Sequence, residues 1–179
     1  MKIVLLIEED IGGVKLGSSS LYTNSEIIDI YNRNVNMIYK ICLMYLKNIP
    51  DTEDAVQDII LKLINGNHKF KNLEHEKAWL IRVTVNLCNS RLRSPWRKRR
   101  EPLLDSYPAP KPEQRELLGH VLSLPPKYRA VIHLFYYEGY PVKDIAELTG
   151  QKESTVRSLL TRARQKLKSD LKEDDYESI

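Results

Sequence analysis

Apolar residues recur every three or four positions through most of the chain, which is the spacing of an amphipathic helix. The first such segment covers residues 24–46. Pro50 is expected to end it, and Asp51 or Thr52 to cap a second helix that runs to Gly66. The sequence contains no apolar and polar alternation long enough for a strand. These patterns predict an all-α protein.

A third helix is predicted between a polar loop at residues 68–76 and Pro95, and its residues form two stripes. Leu80, Val83 and Leu87 are expected to face the core. The second stripe is polar and basic and starts with an aromatic residue: Trp79, Arg82, Asn86, Asn89 and Arg93. Trp79 fits a core anchor as well as it fits a surface position in this second stripe.

Residues 101–114 contain four prolines, so we expect neither helix nor sheet to run through this segment. It divides the chain into two small helical domains joined by a proline-rich linker. The predicted parts are an N-terminal extension (1–23), a first domain (24–100), the linker (101–114), a second domain (115–172) and an acidic tail (173–179).

The second domain contains the pattern of a helix-turn-helix. Two helices that cross closely need a small residue in the first, a glycine at the turn and apolar residues on the inner face of the second. Ala146, Gly150, Val156 and Leu159 meet these requirements. Gln151 stands where an apolar turn residue is commoner.

Outward-facing residues of the helix after this turn are basic or carry hydroxyls, which suits reading base edges and binding phosphates. Alternatively, this is a solvated amphipathic helix whose basic residues serve only solubility. The candidate DNA-binding residues are Lys152, Ser154, Thr155, Arg157, Ser158, Thr161, Arg162 and Arg164.

Charge and composition add little to this division into domains, but they exclude several classes of protein. Lys and Arg number 28 against 24 Asp and Glu. Cys42 and Cys88 lie in apolar helical patterns and are expected to be reduced core residues. No apolar run is long enough to cross a bilayer, and no nucleophile with a base, phosphate-binding loop or metal-ligand spacing is present. We expect a cytoplasmic protein without enzymatic activity, membrane insertion or cofactor.

Three segments, in this order, resemble the bacterial RNA polymerase sigma factors of the sigma-70 family, of the short extracytoplasmic-function (ECF) type. "DTEDAVQDIILKLI" is similar to the polymerase-binding helix and "KAWLIRVTVNLCNSRLR" to the promoter-melting helix. "LPPKYRAVIHLFYYEGYPVKDIAELTGQKESTVRSLLTRARQKL" is similar to the C-terminal domain that reads the minus-35 element. The resemblance covers roughly residues 24–172.

The resemblance implies a specificity subunit that binds core RNA polymerase and promoter DNA. Its polymerase contacts would be the clamp of the largest subunit and the flap of the second-largest subunit. Glu53, Asp54, Gln57 and Asp58 match the face that docks on the clamp, although they also fit a solvated helix face. ECF proteins are commonly held inactive by a dedicated anti-sigma factor, so the resemblance implies one here.

The family also opens the minus-10 element by capturing a flipped base beneath a loop, which matches residues 68–76 here. The residues that would stack on, bond to or neutralise the strand are Phe70, Asn72, Trp79, Arg82, Asn86, Arg93 and Arg97. At the minus-35 element, Arg157, Ser158, Thr161 and Arg162 match the family positions that enter the major groove.

Two other functions remain open from the sequence. A stand-alone helix-turn-helix regulator would bind duplex DNA without polymerase and would be insensitive to changes at Asp54 or Asp58. A protein of this fold that remodels polymerase without melting promoters would tolerate loss of Trp79 and Asn86.

Overall fold

The computed structural model describes residues 22–66, 68–94 and 112–177, with side chains of the last range described from 118 to 171. Within these ranges there is no strand, which confirms the all-α prediction. None of the described helices has both the length and the hydropathy to cross a bilayer. The α-helices are α1 (Asn24–Leu46), α2 (Ile49–Asn65), α3 (Leu73–Arg93), α4 (Pro112–Ser123), α5 (Pro126–Ile132), α6 (Val142–Thr149) and α7 (Glu153–Glu177).

The start of α1 is fixed by a capping box. The Thr23 hydroxyl accepts from the Glu26 N–H at 3.3 Å, and the Thr23 N–H donates to the Glu26 carboxylate at 2.8 Å. These two bonds satisfy donors that the first helical turn leaves without partners. The helix ends at Leu46 because Lys47 adopts the left-handed conformation, with φ 57°.

The second helix begins earlier than the sequence predicted. Asn48 is its N-cap, with its side chain accepting from the Asp51 N–H at 3.0 Å, so the expected caps Asp51 and Thr52 lie inside the first turn. Pro50 also lies in that turn, where its missing N–H costs nothing. The connection between α1 and α2 is therefore only two residues long.

The third helix also starts earlier, at Leu73, and it shortens the predicted 68–76 loop. Asn72 caps it by accepting from the His75 N–H at 2.8 Å. The predicted core stripe was partly wrong: Leu80 is buried, but Val83 and Leu87 are only half-buried. The stripe is wider and includes Ile81, Thr84, Val85 and Cys88, all fully buried.

The core of the first domain lies between α1, α2 and α3. Ile38 and Ile41 of α1 meet Ile59 and Leu63 of α2 and the buried side of α3. Cys42 and Cys88 are buried free thiols in this core. Their mutual hydrogen bond and then their burial raise the pKa of Cys42, and a raised thiol pKa makes a cysteine unreactive.

The second domain consists of α4 to α7. Its first helix begins at Pro112, inside the predicted linker, because proline is tolerated at the first helical position. Residues 101–111 of that linker lie outside the described ranges. At the other end α7 continues to Glu177 and so extends through part of the predicted acidic tail.

The helix-turn-helix consists of α6 and α7. Gly150 has φ 65°, a left-handed conformation that residues with a Cβ rarely adopt, and it ends α6 as predicted. Ala146 and Val156 are buried between the helices. The next inner position is Leu160, at 2 % exposure, whereas the expected Leu159 is only half-buried.

A π-helical turn, His133–Tyr137, continues α5 and ends at Glu138, whose N–H donates to the His133 carbonyl at 3.1 Å. This i to i+5 hydrogen bond widens the backbone relative to an α-helix. The turn buries His133 and Leu134 but leaves Tyr136 and Tyr137 exposed.

The two domains contact each other at the C-terminus of α1. Arg129 of α5 is 3 % exposed, and its guanidinium donates to the carbonyls of Met44 at 2.5 Å and Tyr45 at 3.1 Å. It also donates to the carbonyl of Leu124 in its own domain. The last carbonyls of a helix have no partner within it, and a cation there is favoured by the helix dipole.

We expect Arg129→Met to lower the free energy of unfolding by about 3 kcal/mol, because it leaves buried carbonyls without donors. Urea denaturation followed by circular dichroism would measure this. Arg162→Met, at an exposed position on α7, is the control and should change stability by less than about 0.5 kcal/mol. Equal stabilities for the two variants would contradict this interpretation of Arg129.

Candidate nucleic-acid and polymerase interface

The outer face of α7 carries the predicted duplex-reading residues. Burial of Val156, Leu160 and Ala163 on the inner face determines which residues point outward. Ser158 is half-buried, and the other predicted residues are exposed: Lys152, Ser154, Thr155, Arg157, Thr161, Arg162 and Arg164. The structure thus brings all eight to one end and one side of the helix-turn-helix.

Two arginines on this face already have partners. Arg157 forms an exposed ion pair with Glu153 one turn earlier, at 3.3 Å. Such a pair contributes only about 0.3–0.5 kcal/mol, so it does not prevent Arg157 from binding DNA. Arg164 donates from Nε to the Tyr136 hydroxyl at 2.8 Å and lies 5.6 Å from the ring centroids of Phe135 and Tyr136.

Tyr136 was not predicted as part of this surface. Its side chain is 56 % exposed, and it comes from the π-helical turn, which the sequence does not distinguish from an α-helix. The bond from Arg164 to Tyr136 uses Nε and not the two terminal nitrogens of the guanidinium. The tyrosine therefore orients Arg164 and leaves the edge formed by the two terminal nitrogens for a bidentate contact.

The predicted minus-10 residues divide between the segment before α3 and the helix itself. Phe70 and Trp79 are half-buried and lie 5.5 Å apart between ring centroids, with His68 4.3 Å from Trp79. Trp79 therefore packs against His68 and Phe70 and is also partly exposed at the surface. Asn72 is exposed, and its side-chain oxygen is occupied as the cap of α3.

Further along α3, Arg82, Asn86 and Arg93 are exposed on the same side as Trp79, as predicted. Arg97 lies outside the described ranges. Arg82 forms an ion pair at 3.6 Å with Glu147 of α6, which joins the two domains. Both side chains are at least half exposed, so the contact is weak and can be exchanged for a phosphate.

The start of α3 is fixed by a buried carboxylate. Glu76, which was expected in a loop, accepts from the Asn34 side chain at 2.7 Å and pairs with Arg33 at 3.0 Å. Both partners lie on α1. These bonds attach the first turn of α3 to the longest helix of the domain, so Trp79 and Arg82 project from a rigid element.

The predicted polymerase-binding residues lie on α2. Glu53, Asp54 and Gln57 are exposed, whereas Asp58 is half-buried and pairs with Arg91 of α3 at 2.5 Å. Arg91 also donates to the Asp51 carbonyl at 3.0 Å. The acidic face available to a partner is therefore centred on Glu53 and Asp54, with Asp58 partly neutralised. No cluster of metal-ligating side chains occurs among the residues that the structure describes.

Comparisons with known proteins agree with this arrangement. The family model for "Sigma-70 region 2" matches residues 30–98, and the model for "Sigma-70, region 4" matches residues 114–167. The ECF RNA polymerase sigma factor SigM of Mycobacterium tuberculosis is 31% identical over 143 residues, which are 77% of this chain and 73% of SigM. The chain belongs to the ECF RNA polymerase sigma factors.

Further comparisons cover more of this sigma factor. The ECF sigma factor SigW of Bacillus subtilis is 26% identical over 192 residues, covering 94% of this chain and 98% of SigW. The sigma factor RpoE of Bartonella quintana, solved in complex with the anti-sigma factor NepR, superposes with a TM-score of 0.67 at 22% identity, covering 82% of this chain and 97% of RpoE. The resemblance drawn from the sequence is thereby confirmed, as is the function of a sigma factor in promoter-specific transcription initiation, which is regulatory and not catalytic.

A second ion pair joins the two domains of this sigma factor, and its basic member also lies on α3. Lys77 of α3 lies 3.1 Å from the Glu138 carboxylate, whose other oxygen is 3.6 Å from Nε2 of the buried His133. His133 and, after it, Lys77 lower the pKa of Glu138 to about 2, against the effect of burial, which raises it.

This shift predicts a pH dependence of stability. Because the folded pKa of Glu138, about 2, lies below its usual value of 4.5, its contribution is complete above pH 4.5 and is lost as the pH falls toward 2. We expect the free energy of unfolding to fall less steeply across this window in Glu138→Gln than in the wild type. Glu147→Gln, at an exposed ion pair, is the control and should follow the wild-type profile.

Proposed function

We propose that this sigma factor binds core RNA polymerase through α2, reads the minus-35 element with α7 and separates the strands at the minus-10 element with α3. The observation that carries the proposal is that these three surfaces are exposed at once on rigid helices. Each has the charge that its target requires: acidic for a protein partner, and basic with aromatic residues for DNA.

The proposed minus-35 contact is supported by the geometry of the helix-turn-helix. The N-terminal part of α7 exposes Arg157, Thr161 and Arg162 at spacings that place them on one side. Arginine can bind guanine through two parallel hydrogen bonds, and hydroxyls adapt to several bases. In this proposal Arg164 and Lys168 bind phosphates and hold the helix in register.

At the minus-10 element, Trp79 with Phe70 would provide stacking surface, and Asn86 would bond a base. Unstacking a base costs on the order of a few kcal/mol, and stacking on an aromatic side chain recovers about 1–3 kcal/mol per base. Arg82 would leave Glu147 for a backbone phosphate, at little cost because their ion pair is exposed. Arg93 continues the basic side of this helix. Arg97, which lies outside the described ranges, is proposed to bind the strand as well.

The proposed partners are core RNA polymerase, through its largest-subunit clamp and second-largest-subunit flap, promoter DNA and an anti-sigma factor, all of them in the cytoplasm. The acidic residues Glu53 and Asp54 support the polymerase contact. The anti-sigma partner is supported by the related fold of RpoE, which was solved bound to NepR. Co-purification from the native host would test this partner, and a tagged chain that recovers none would contradict it.

Reversing the charge at Glu53 and Asp54 should remove polymerase binding. We expect Glu53→Arg, Asp54→Arg to weaken affinity for bacterial core polymerase by at least about tenfold, since like charges across an interface cost several kcal/mol. Asp29→Arg, at an exposed position on α1, is the matched control and should retain wild-type affinity. A folded wild-type protein that does not bind core would overturn the proposal and favour a stand-alone DNA-binding regulator.

Base reading and phosphate binding on α7 should be separable. Arg157→Ala is expected to reduce discrimination at one minus-35 position by about 1–3 kcal/mol, whereas Lys168→Ala should weaken binding to all sequences and lower the salt slope by about 1. Competition binding of the reconstituted holoenzyme to a set of single-base minus-35 variants would measure both effects. Equal losses on every sequence for Arg157→Ala would contradict its assignment.

A further inference from the structure

Tyr22 lies next to the predicted promoter-melting surface although it precedes the first helix. It is followed directly by Thr23, whose capping box with Glu26 fixes the backbone at this point. The matched region 2 family model begins only at residue 30. The cap of α1 therefore fixes the backbone directly next to Tyr22, outside the residues that this model matches.

The hydroxyl of Tyr22 holds the middle of the segment that precedes α3. It accepts a hydrogen bond from the Phe70 N–H at 3.2 Å, across 48 positions of sequence. The two rings are also stacked, with centroids 5.9 Å apart and planes inclined by 21°. One side chain thus fixes both the backbone and the ring of Phe70.

The rest of this segment, residues 68–72, is held mainly at its C-terminal end. The Lys71 N–H donates to Nδ1 of His75 at 3.2 Å, and Asn72 caps the helix. None of residues 68–72 belongs to a helix. Among the hydrogen bonds of this segment, the one to Tyr22 is the contact that reaches outside α3 and its cap.

Phe70 transmits this constraint to α3. Its ring lies 5.5 Å from that of Trp79 and meets His75 edge to face at 5.9 Å. Tyr22, Phe70 and Trp79 therefore form a continuous row of rings that leads from the segment before α1 to the start of the melting helix. A shift of Phe70 would change the surface that a base meets beside Trp79.

We infer that Tyr22 is a positioning residue for promoter recognition: it sets the placement of residues 68–72 and of the Phe70 ring, and so influences which minus-10 base is accepted. This inference rests on the proposed function of α3 and the 68–72 segment. Tyr22 itself need not touch DNA.

The test uses core polymerase reconstituted with wild-type sigma factor, Tyr22→Phe or Tyr31→Phe. Tyr22→Phe removes the hydroxyl and keeps the ring, so the Phe70 N–H loses its acceptor. Tyr31→Phe makes the same change at a buried tyrosine of α1 and is the matched control. Transcripts from templates with both promoter elements randomised are sequenced, and core affinity and melting temperature are measured alongside.

We expect Tyr22→Phe to reduce the preference for the favoured minus-10 base by about three- to tenfold, because the Phe70 N–H loses its hydrogen bond to the hydroxyl. Core affinity and minus-35 preference should stay within about twofold of wild type, and the melting temperature within a few degrees. Tyr31→Phe should keep the wild-type distribution of minus-10 bases.

Two results would overturn the inference. One is an unchanged minus-10 distribution in Tyr22→Phe; the other is an equal loss in core affinity, minus-35 preference and stability, which would indicate a general structural role. A wild-type holoenzyme with no minus-10 preference would instead contradict the proposed function of α3. The wild-type sample therefore separates failure of the inference from failure of the proposal on which it depends.

Discussion

The packing of the two domains against each other depends on which groups donate hydrogen bonds to the last carbonyls of α1. A helix that ends in the core must find donors for these groups, and the short connection to α2 leaves no room for a longer cap. Arg129, from the other domain, supplies them together with a positive charge at the negative end of the helix. Buried backbone carbonyls of the first domain thus accept hydrogen bonds from Arg129 of the second domain, and these bonds place α5 against α1.

Two ion pairs between the domains have a different character. Lys77 with Glu138 and Arg82 with Glu147 both join α3 to the helix-turn-helix domain. The acidic member comes from the second domain each time, and the basic member lies on the helix that is proposed to meet DNA. In the proposed function, Glu147 occupies the position at which a phosphate would bind Arg82, so domain contact and strand contact would use the same basic side chain.

Much of the fold could be predicted from the sequence because the helical periodicity of apolar residues agreed with the positions of residues that cap or end helices. The bounds of α1 and the left-handed Gly150 follow from such local rules. The start of α2 could not be predicted from its proline, since Pro50 is compatible both with ending a helix and with the first turn of the next. The half-buried state of Leu159 depends on how α7 is rotated against α5, which a two-helix pattern does not define.

The candidate site was predictable to a similar degree. The exposed faces of α2, α3 and α7 follow from the same periodicity, so Asp54, Arg82 and Arg157 lie outward as expected. The partners Glu147 for Arg82 and Tyr136 for Arg164 could not be predicted, because they depend on the docking of two domains and on a π-helical turn. Tyr22 and Phe70 are 48 positions apart, and no local spacing connects them.

The π-helical turn also affects how this segment compares with related chains. An α-helix advances by about 100° per residue, and the i to i+5 bond accommodates one extra residue within a turn. A relative with an ordinary α-helix here would keep its following side chains in register only if it were one residue shorter between His133 and Tyr137. An alignment that ignores this offset would pair Tyr136 with the wrong neighbour, so the partner of Arg164 is better identified by superposition than by sequence.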